Sequence, residues 1–302
     1  MTDKLVRGVY AAVLTPRFAD DSVDERSFTG LIDFLSEQGI SGFAINGATG
    51  EFCLSTPEHL RTLFATLHRS KLEPKILCGI GSAGVARTVE LGRIAQGEGA
   101  QAVLLPMPYF FPYQQDDLEH YVHTVAAALN VPILLYNLPS FTTGLETETV
   151  LRLLQDVPNV IGIKDSGRSL DTLRALTEQL PEACRIVGND GILAEALREG
   201  VCDGVVSGVA CALPEVIRPL FAENPENPAF DTFSQELDGF IQQIEGLPVP
   251  WGLKFVVEAR GIVQASFAQS ASARRLQQGL ELAAWFQQWQ AKALPSMSAT
   301  RS

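Results

Sequence analysis

Two hydrophobic rhythms alternate along the chain. Short, nearly unbroken apolar runs are separated by longer segments in which apolar residues recur three and four positions apart. The first run, 8–14, predicts a strand, and 24–38 then carries Phe28, Leu31, Ile32 and Leu35, one face of a helix. The same alternation repeats. Runs at 42–45, 75–79, 102–106, 132–136, 159–164, 185–188 and 204–207 read as strands. Between and after them, 57–70, 85–98, 115–129, a segment bearing Val150, Leu153 and Leu154, 169–179, 193–199 and 214–222 read as helices. Pro214 suits a first helical position, and Pro219 is expected to kink or shorten its helix.

Eight such units, with strands as apolar as Ile133-Leu134-Leu135, imply a parallel sheet covered on both faces. Alternation of this kind defines an α/β fold. The count of eight favours a closed (β/α)8 barrel (TIM barrel) over the alternative, a doubly wound open sheet. Beyond 224 the strands stop. The stretch 230–245, with Phe233, Leu237, Phe240, Ile241 and Ile244, reads as a helix, as do 251–259 and 272–292. The expected organisation is a barrel catalytic domain over 1–224 and a C-terminal helical extension over 225–302, with 294–302 an aperiodic, loose tail.

Composition narrows the function classes. Among 302 residues, 23 Lys and Arg face 35 Asp and Glu, a net charge of −12, so a nucleic-acid partner is not expected. An anionic small substrate stays open, because a site can be locally basic inside an acidic protein. No apolar stretch reaches the ~18 residues of a membrane span, and the start, MTDKLVRGVY, lacks the apolar centre of a secretory signal. Cys53, Cys78, Cys184, Cys202 and Cys211 are scattered and form no Cys-x-x-Cys pair, so neither a disulfide framework nor a zinc site is expected, and a reducing cytoplasm is the expected location.

Two motifs are decoys. Gly79, Gly81 and Gly84 match the dinucleotide fingerprint, but the next strand ends in Leu104-Leu105-Pro106 without the required acid, and the unit is third rather than first. His120 and His123 lie three apart on a helix, where a zinc helix needs four and an intervening acid. The stronger signal is Asn159-Val160-Ile161-Gly162-Ile163-Lys164-Asp165, a lysine ending a β-branched strand with Gly162 two positions earlier on the same face, expected to leave space beneath it. An amine withdrawn from water loses its proton more readily, and the neutral amine is the nucleophile of Schiff-base chemistry. The other reading is a structural pair between Lys164 and Asp165, although adjacent strand residues point to opposite faces. Tyr136 ends the preceding strand, where it can meet Lys164 and move protons, or simply pack and cap the strand end. The glycine-rich turn holding Gly47, Ala48 and Thr49 can present amides and a hydroxyl to a carboxylate, or be a plain βα turn. Thr49, Tyr109, Tyr136, Lys164, Asp190 and Ser207 all fall at or just beyond C-terminal strand ends, the side where barrel active sites lie.

Together these residues resemble the dihydrodipicolinate synthase and N-acetylneuraminate lyase family of pyruvate-dependent Schiff-base aldolases. The resemblance is carried, from Gly8 to about Leu294, by Gly47 to Glu51, Pro108-Tyr109, Leu135-Tyr136-Asn137, Gly162 to Asp165 and Asp203 to Ser207. It implies a lyase with a (β/α)8 barrel and helical extension, no dissociable cofactor or metal, pyruvate and an aldehyde as substrates, and a homotetramer built as a dimer of dimers. Lys164 matches the imine-forming lysine, and Tyr136 the proton-shuttling tyrosine. Ala48 and Thr49 match the carboxylate-holding loop, and Val206 a position whose backbone faces pyruvate.

Two departures stand out. Ala48 and Phe110 lack the hydroxyls that the family's synthases place there as a relay, so Tyr136 is left with Thr49 or water. Phe141 stands where the lysine-pathway synthases carry an arginine for the aldehyde's carboxylate. Losing that charge-assisted pair costs about 1.5–3 kcal/mol. The chain is therefore more similar to the branch that cleaves 2-keto-3-deoxy sugar acids, whose Pro-Tyr-aromatic-aromatic loop matches Pro108-Tyr109-Phe110-Phe111. Dihydrodipicolinate synthase proper, a keto-deoxy sugar acid dehydratase and a non-catalytic keto-acid-binding protein are the alternatives.

Overall fold

The computed structural model describes residues 4–70, 73–264, 266 and 271–299, with side chains described as far as Ala293. Strands β1 (Gly8–Ala12), β2 (Gly42–Ile45), β3 (Lys75–Gly79), β4 (Ala102–Pro106), β5 (Ile133–Asn137), β6 (Val160–Asp165), β7 (Cys184–Val187) and β8 (Gly204–Ser207) form a closed barrel in chain order. All pairings are parallel, and β1 closes on β8 with Gly8 opposite Gly204. The open-sheet alternative is excluded by that closure.

Each strand is followed by helix: α1 (Glu25–Glu37), α2 (Pro57–Arg69), α3 (Val85–Gly97), α4 (Gln115–Ala127), α5 (Thr147–Asp156), α6 (Asp171–Gln179) and α7 (Leu193–Glu199), then α8 (Val209–Ala212) and α9 (Pro214–Ala222) after β8. Local chemistry fixes the starts. Asp24 accepts from the Ser27 amide at 3.0 Å to cap α1, and Thr56 and His59 form a capping box on α2 with Pro57 in its first position. Helix α9 contains Pro219 and ends three residues later, at Ala222.

The pleat sorts the strand side chains into two layers. On β5, Ile133 and Leu135 join the layer under the helices, whereas Leu134 and Tyr136 fill the barrel. On β6, Ile163 faces out, so the next residue, Lys164, faces in. The far end of the barrel is tied by Asp203, which accepts from Lys4 and Arg185, each at 2.8 Å.

Three further helices complete the described chain: α10 (Pro228–Ile244), α11 (Trp251–Ala259) and α12 (Ala273–Ala299). The outer core layer continues through them, from Leu220 to Phe230, Phe240, Val256 and Phe286. Helix α12 runs on to Ala299, so residues 294–299 are helical backbone rather than the loose tail expected from their aperiodic sequence. Residues 300–302 of that expected tail lie outside the described residues.

Candidate active site

A cavity of about 340 Å³ opens at the C-terminal ends of the strands. Lys164, Tyr136, Ala48, Thr49, Val206 and Phe141 line it, as six of the eight expected site residues. Gly47 and Tyr109 do not. Tyr109 is half-buried, edge-on to Phe52 at 5.8 Å. Phe110 is 84% exposed and held at a φ of 87°.

Lys164 is only 3% exposed. Its register partner on β5 is Tyr136, and its Nζ stands 3.8 Å from the centroid of the Tyr136 ring. Among the described residues neither Lys164 Nζ nor the Tyr136 hydroxyl makes a hydrogen bond or ion pair. The structural pair with Asp165 is not formed. That carboxylate faces the other way, accepting from Asn137 Nδ2 at 3.1 Å and the Gly167 amide at 2.7 Å, and burial pushes its pKa up.

Gly162 does not leave the expected space beneath the lysine. A Cβ there would lie 2.1 Å from the Cys184 carbonyl oxygen, so the glycine instead lets β7 approach β6. Gly188, at the end of β7, makes the room: a Cβ there would stand 2.8 Å from Lys164 Cε and 2.3 Å from Ser166 Oγ. A single strand cannot reveal this, because the constraint crosses to its neighbour.

The loop after β2 is tightly wound. Asn46 and Glu51, at its two ends, hold left-handed φ values of 53° and 57°. Asn46 Nδ2 donates to the Gly79 carbonyl at 2.7 Å, and Glu51 accepts from Lys254 of α11 at 2.7 Å, both partners being buried. Ala48 and Thr49 are thereby presented to the cavity. Gly79 of the dinucleotide-like motif serves the same packing, since a Cβ there would meet the Asn46 carbonyl oxygen at 1.9 Å.

Asp190, on the turn after β7, also lines the cavity. Its Oδ2 accepts from the Val209 amide at 3.1 Å and Ser207 bonds to it, while its buried Oδ1 has no partner among the described residues. Burial raises its pKa, against the lowering effects of those bonds and of nearby Lys164. The helical extension adds an apolar part of the lining: Ile241, Ile244, Val249, Pro250 and Leu253. The sequence reading missed this part, along with Gly188 and Arg168. Arg168 follows Lys164 by four residues, and its position just after a strand end was the available signal.

His120 lines a separate surface groove with Asp117 and Tyr121. All five cysteines are free. Among the described residues no three His, Cys, Asp or Glu side chains gather as a metal site, and no helix is long and apolar enough to cross a membrane.

A closed (β/α)8 barrel with a lysine and a tyrosine buried together at its C-terminal mouth fits a lyase of the aldolase class, and the comparisons with known proteins show that class. The model of the dihydrodipicolinate synthetase family matches residues 5–278, and the chain belongs to that family. Among curated relatives, it is 33% identical over 214 residues to the 4-hydroxy-tetrahydrodipicolinate synthase of Salinibacter ruber, covering 70% of this chain and 71% of that one. It is 34% identical over 227 residues to the same-named enzyme of Campylobacter jejuni, covering 73% and 74%. Among solved structures, it is similar to YagE, an E. coli prophage protein of the family crystallised with pyruvate, with a TM-score of 0.85, 26% identity and 94% and 98% of the two chains covered. It shares its fold with a Clostridium difficile protein, CdNal, solved with mannosamine, at a TM-score of 0.83, 19% identity and 94% and 100% coverage.

Proposed function

We propose that this protein is a pyruvate-dependent aldolase that works through a Schiff base on Lys164 and makes or breaks 2-keto-3-deoxy sugar acids. The observation that carries the reading is the unpaired Lys164 amine over the Tyr136 ring. A neutral amine attacks the keto carbon of pyruvate. Tyr136 protonates the departing hydroxyl, water leaves and an imine remains. The protonated imine withdraws electrons, so loss of a methyl proton gives an enamine that attacks the aldehyde carbon, and water then releases the product. In the cleavage direction the same steps run in reverse. Thr49 and the amides of its loop hold the pyruvate carboxylate. With no hydroxyl on Ala48 or Phe110, protons reach Tyr136 through Thr49 or water.

A volume of about 340 Å³ suits pyruvate and a small aldehyde together, since small-molecule sites span ~300–1,000 Å³. Phe141 on the cavity wall supports the sugar-acid branch over the synthase reading. The names of the curated relatives favour dihydrodipicolinate synthase. A panel of aldehydes offered with pyruvate separates the two. Faster turnover of glyceraldehyde-type acceptors, neutral or anionic, than of aspartate semialdehyde is expected, and the converse pattern makes the chain a synthase. The reaction needs no dissociable cofactor or metal, and the proposed setting is a cytoplasmic homotetramer.

A further inference from the structure

Phe141 removes the arginine that a synthase would use, yet the cavity still holds a guanidinium. Arg168 lines the same cavity as Lys164 and Phe141 but comes from the next loop, between β6 and α6. The backbone that carries it is fixed. Ser166 donates its amide to the Asn137 carbonyl at 3.0 Å, Gly167 donates to Asp165 Oδ1 at 2.7 Å, and the Gly167 carbonyl accepts from Asn189 Nδ2 at 2.8 Å. The side chain itself is exposed and makes no hydrogen bond or ion pair among the described residues. Other arginines of this acidic chain are engaged: Arg174 pairs with Asp171, Glu195 and Glu199, Arg185 with Asp203 and Arg260 with Glu215.

An unpaired guanidinium at a cavity mouth is an anion reader, because its planar fork matches carboxylate or phosphate oxygens two at a time. The carboxylate of pyruvate is not its target on the mechanism above, since the Ala48–Thr49 loop takes that group. What remains is the far end of the other substrate. The lining supplied by the helical extension, Val249 and Pro250 among it, is apolar and adds no charge, and Asp190 is the one acid of the lining among the described residues.

We propose that Arg168 is a specificity-determining residue that binds an anionic group, a carboxylate or a phosphate, at the far end of the aldehyde partner. The keto-deoxy acid made or cleaved then carries an anion at each end. This rests on the Schiff-base reading, and the test separates the two. Condensation with pyruvate is measured for glyceraldehyde, glyceraldehyde 3-phosphate and tartronate semialdehyde, in the wild type, Arg168→Ala and Arg168→Lys. The wild type should favour one anionic aldehyde over glyceraldehyde in kcat/KM. In Arg168→Ala that ratio should fall about ten- to hundredfold, mainly through KM, with partial recovery in Arg168→Lys. The anion with the larger loss, phosphate or carboxylate, is the one recognised. A wild type without anionic preference, or a ratio unchanged in Arg168→Ala, overturns the proposal. Borohydride trapping of pyruvate on the wild type tells the failures apart. A trapped adduct with an unchanged ratio overturns the role of Arg168 alone, and no adduct overturns the aldolase reading and this proposal with it.

Discussion

At the residue scale, Asp190 is the acid in the cavity whose charge is most dependent on its surroundings. Burial holds its pKa above the ordinary 3.8, so the folded chain retains a proton that the unfolded chain has lost. The sign follows from linkage: stability contributed by the protonated group is full below the unfolded value and falls as pH rises from there to the raised folded value. Asp190→Asn keeps an acceptor for Ser207 and Val209 but cannot ionise. Its melting temperature, relative to wild type, should therefore be higher at pH 8 than at pH 4. A pH-independent difference would contradict this account. Lys164 and Tyr136 were legible in sequence because each ends an apolar run, and strand alternation aims both inward. Gly188 and Arg168 were not, because one acts on a neighbouring strand's side chain and the other reaches back from a loop. The room expected at Gly162 is found at Gly188 for the same reason.

At the element scale, α11 holds the loop after β2. Lys254 donates to Glu51 and to the Ser266 carbonyl, each at 2.7 Å, and so joins the helical extension to the turn that presents Thr49. Lys254→Met should leave Glu51 buried without its cation, at a cost of about 3–5 kcal/mol in denaturant unfolding. Pairing it with Glu51→Gln should return much of that loss, because the uncompensated charge disappears. If the double variant is no more stable than the single one, the pair is not the reason for the loss. The strands were legible because both of their faces are buried, leaving nearly pure apolar runs. Their ends were less so: the run 8–14 outlasts β1 because Val13 and Leu14 remain buried beyond the last strand pairing. Helix α12 hid its last turns for the opposite reason, since helical backbone there persists without an apolar stripe to mark it.

At the scale of the whole molecule, the barrel and its extension share one outer core, and the extension supplies a wall of the cavity. Barrel closure was legible only as a count of eight units. The apolar wall was not, because residues near 241–253 become neighbours of Lys164 through the fold alone. The net charge of −12 argues against a nucleic-acid partner and leaves room for an anionic substrate held by Lys164, a loop of amides and Arg168. Phe110 and Phe111, 84% and 62% exposed, leave apolar surface on the described chain. A homotetramer should give a light-scattering mass four times the 32.7 kDa of the chain, and a mass of one chain would contradict that assembly.

The proposed chemistry turns on an imine between Lys164 and pyruvate. Incubation with pyruvate and borohydride, followed by intact-mass measurement and peptide mapping, tests it most directly. One reduced pyruvate adduct per chain is expected, mapped to Lys164 and lost in Lys164→Ala. An unshifted mass, or an adduct that maps to another residue, would contradict it.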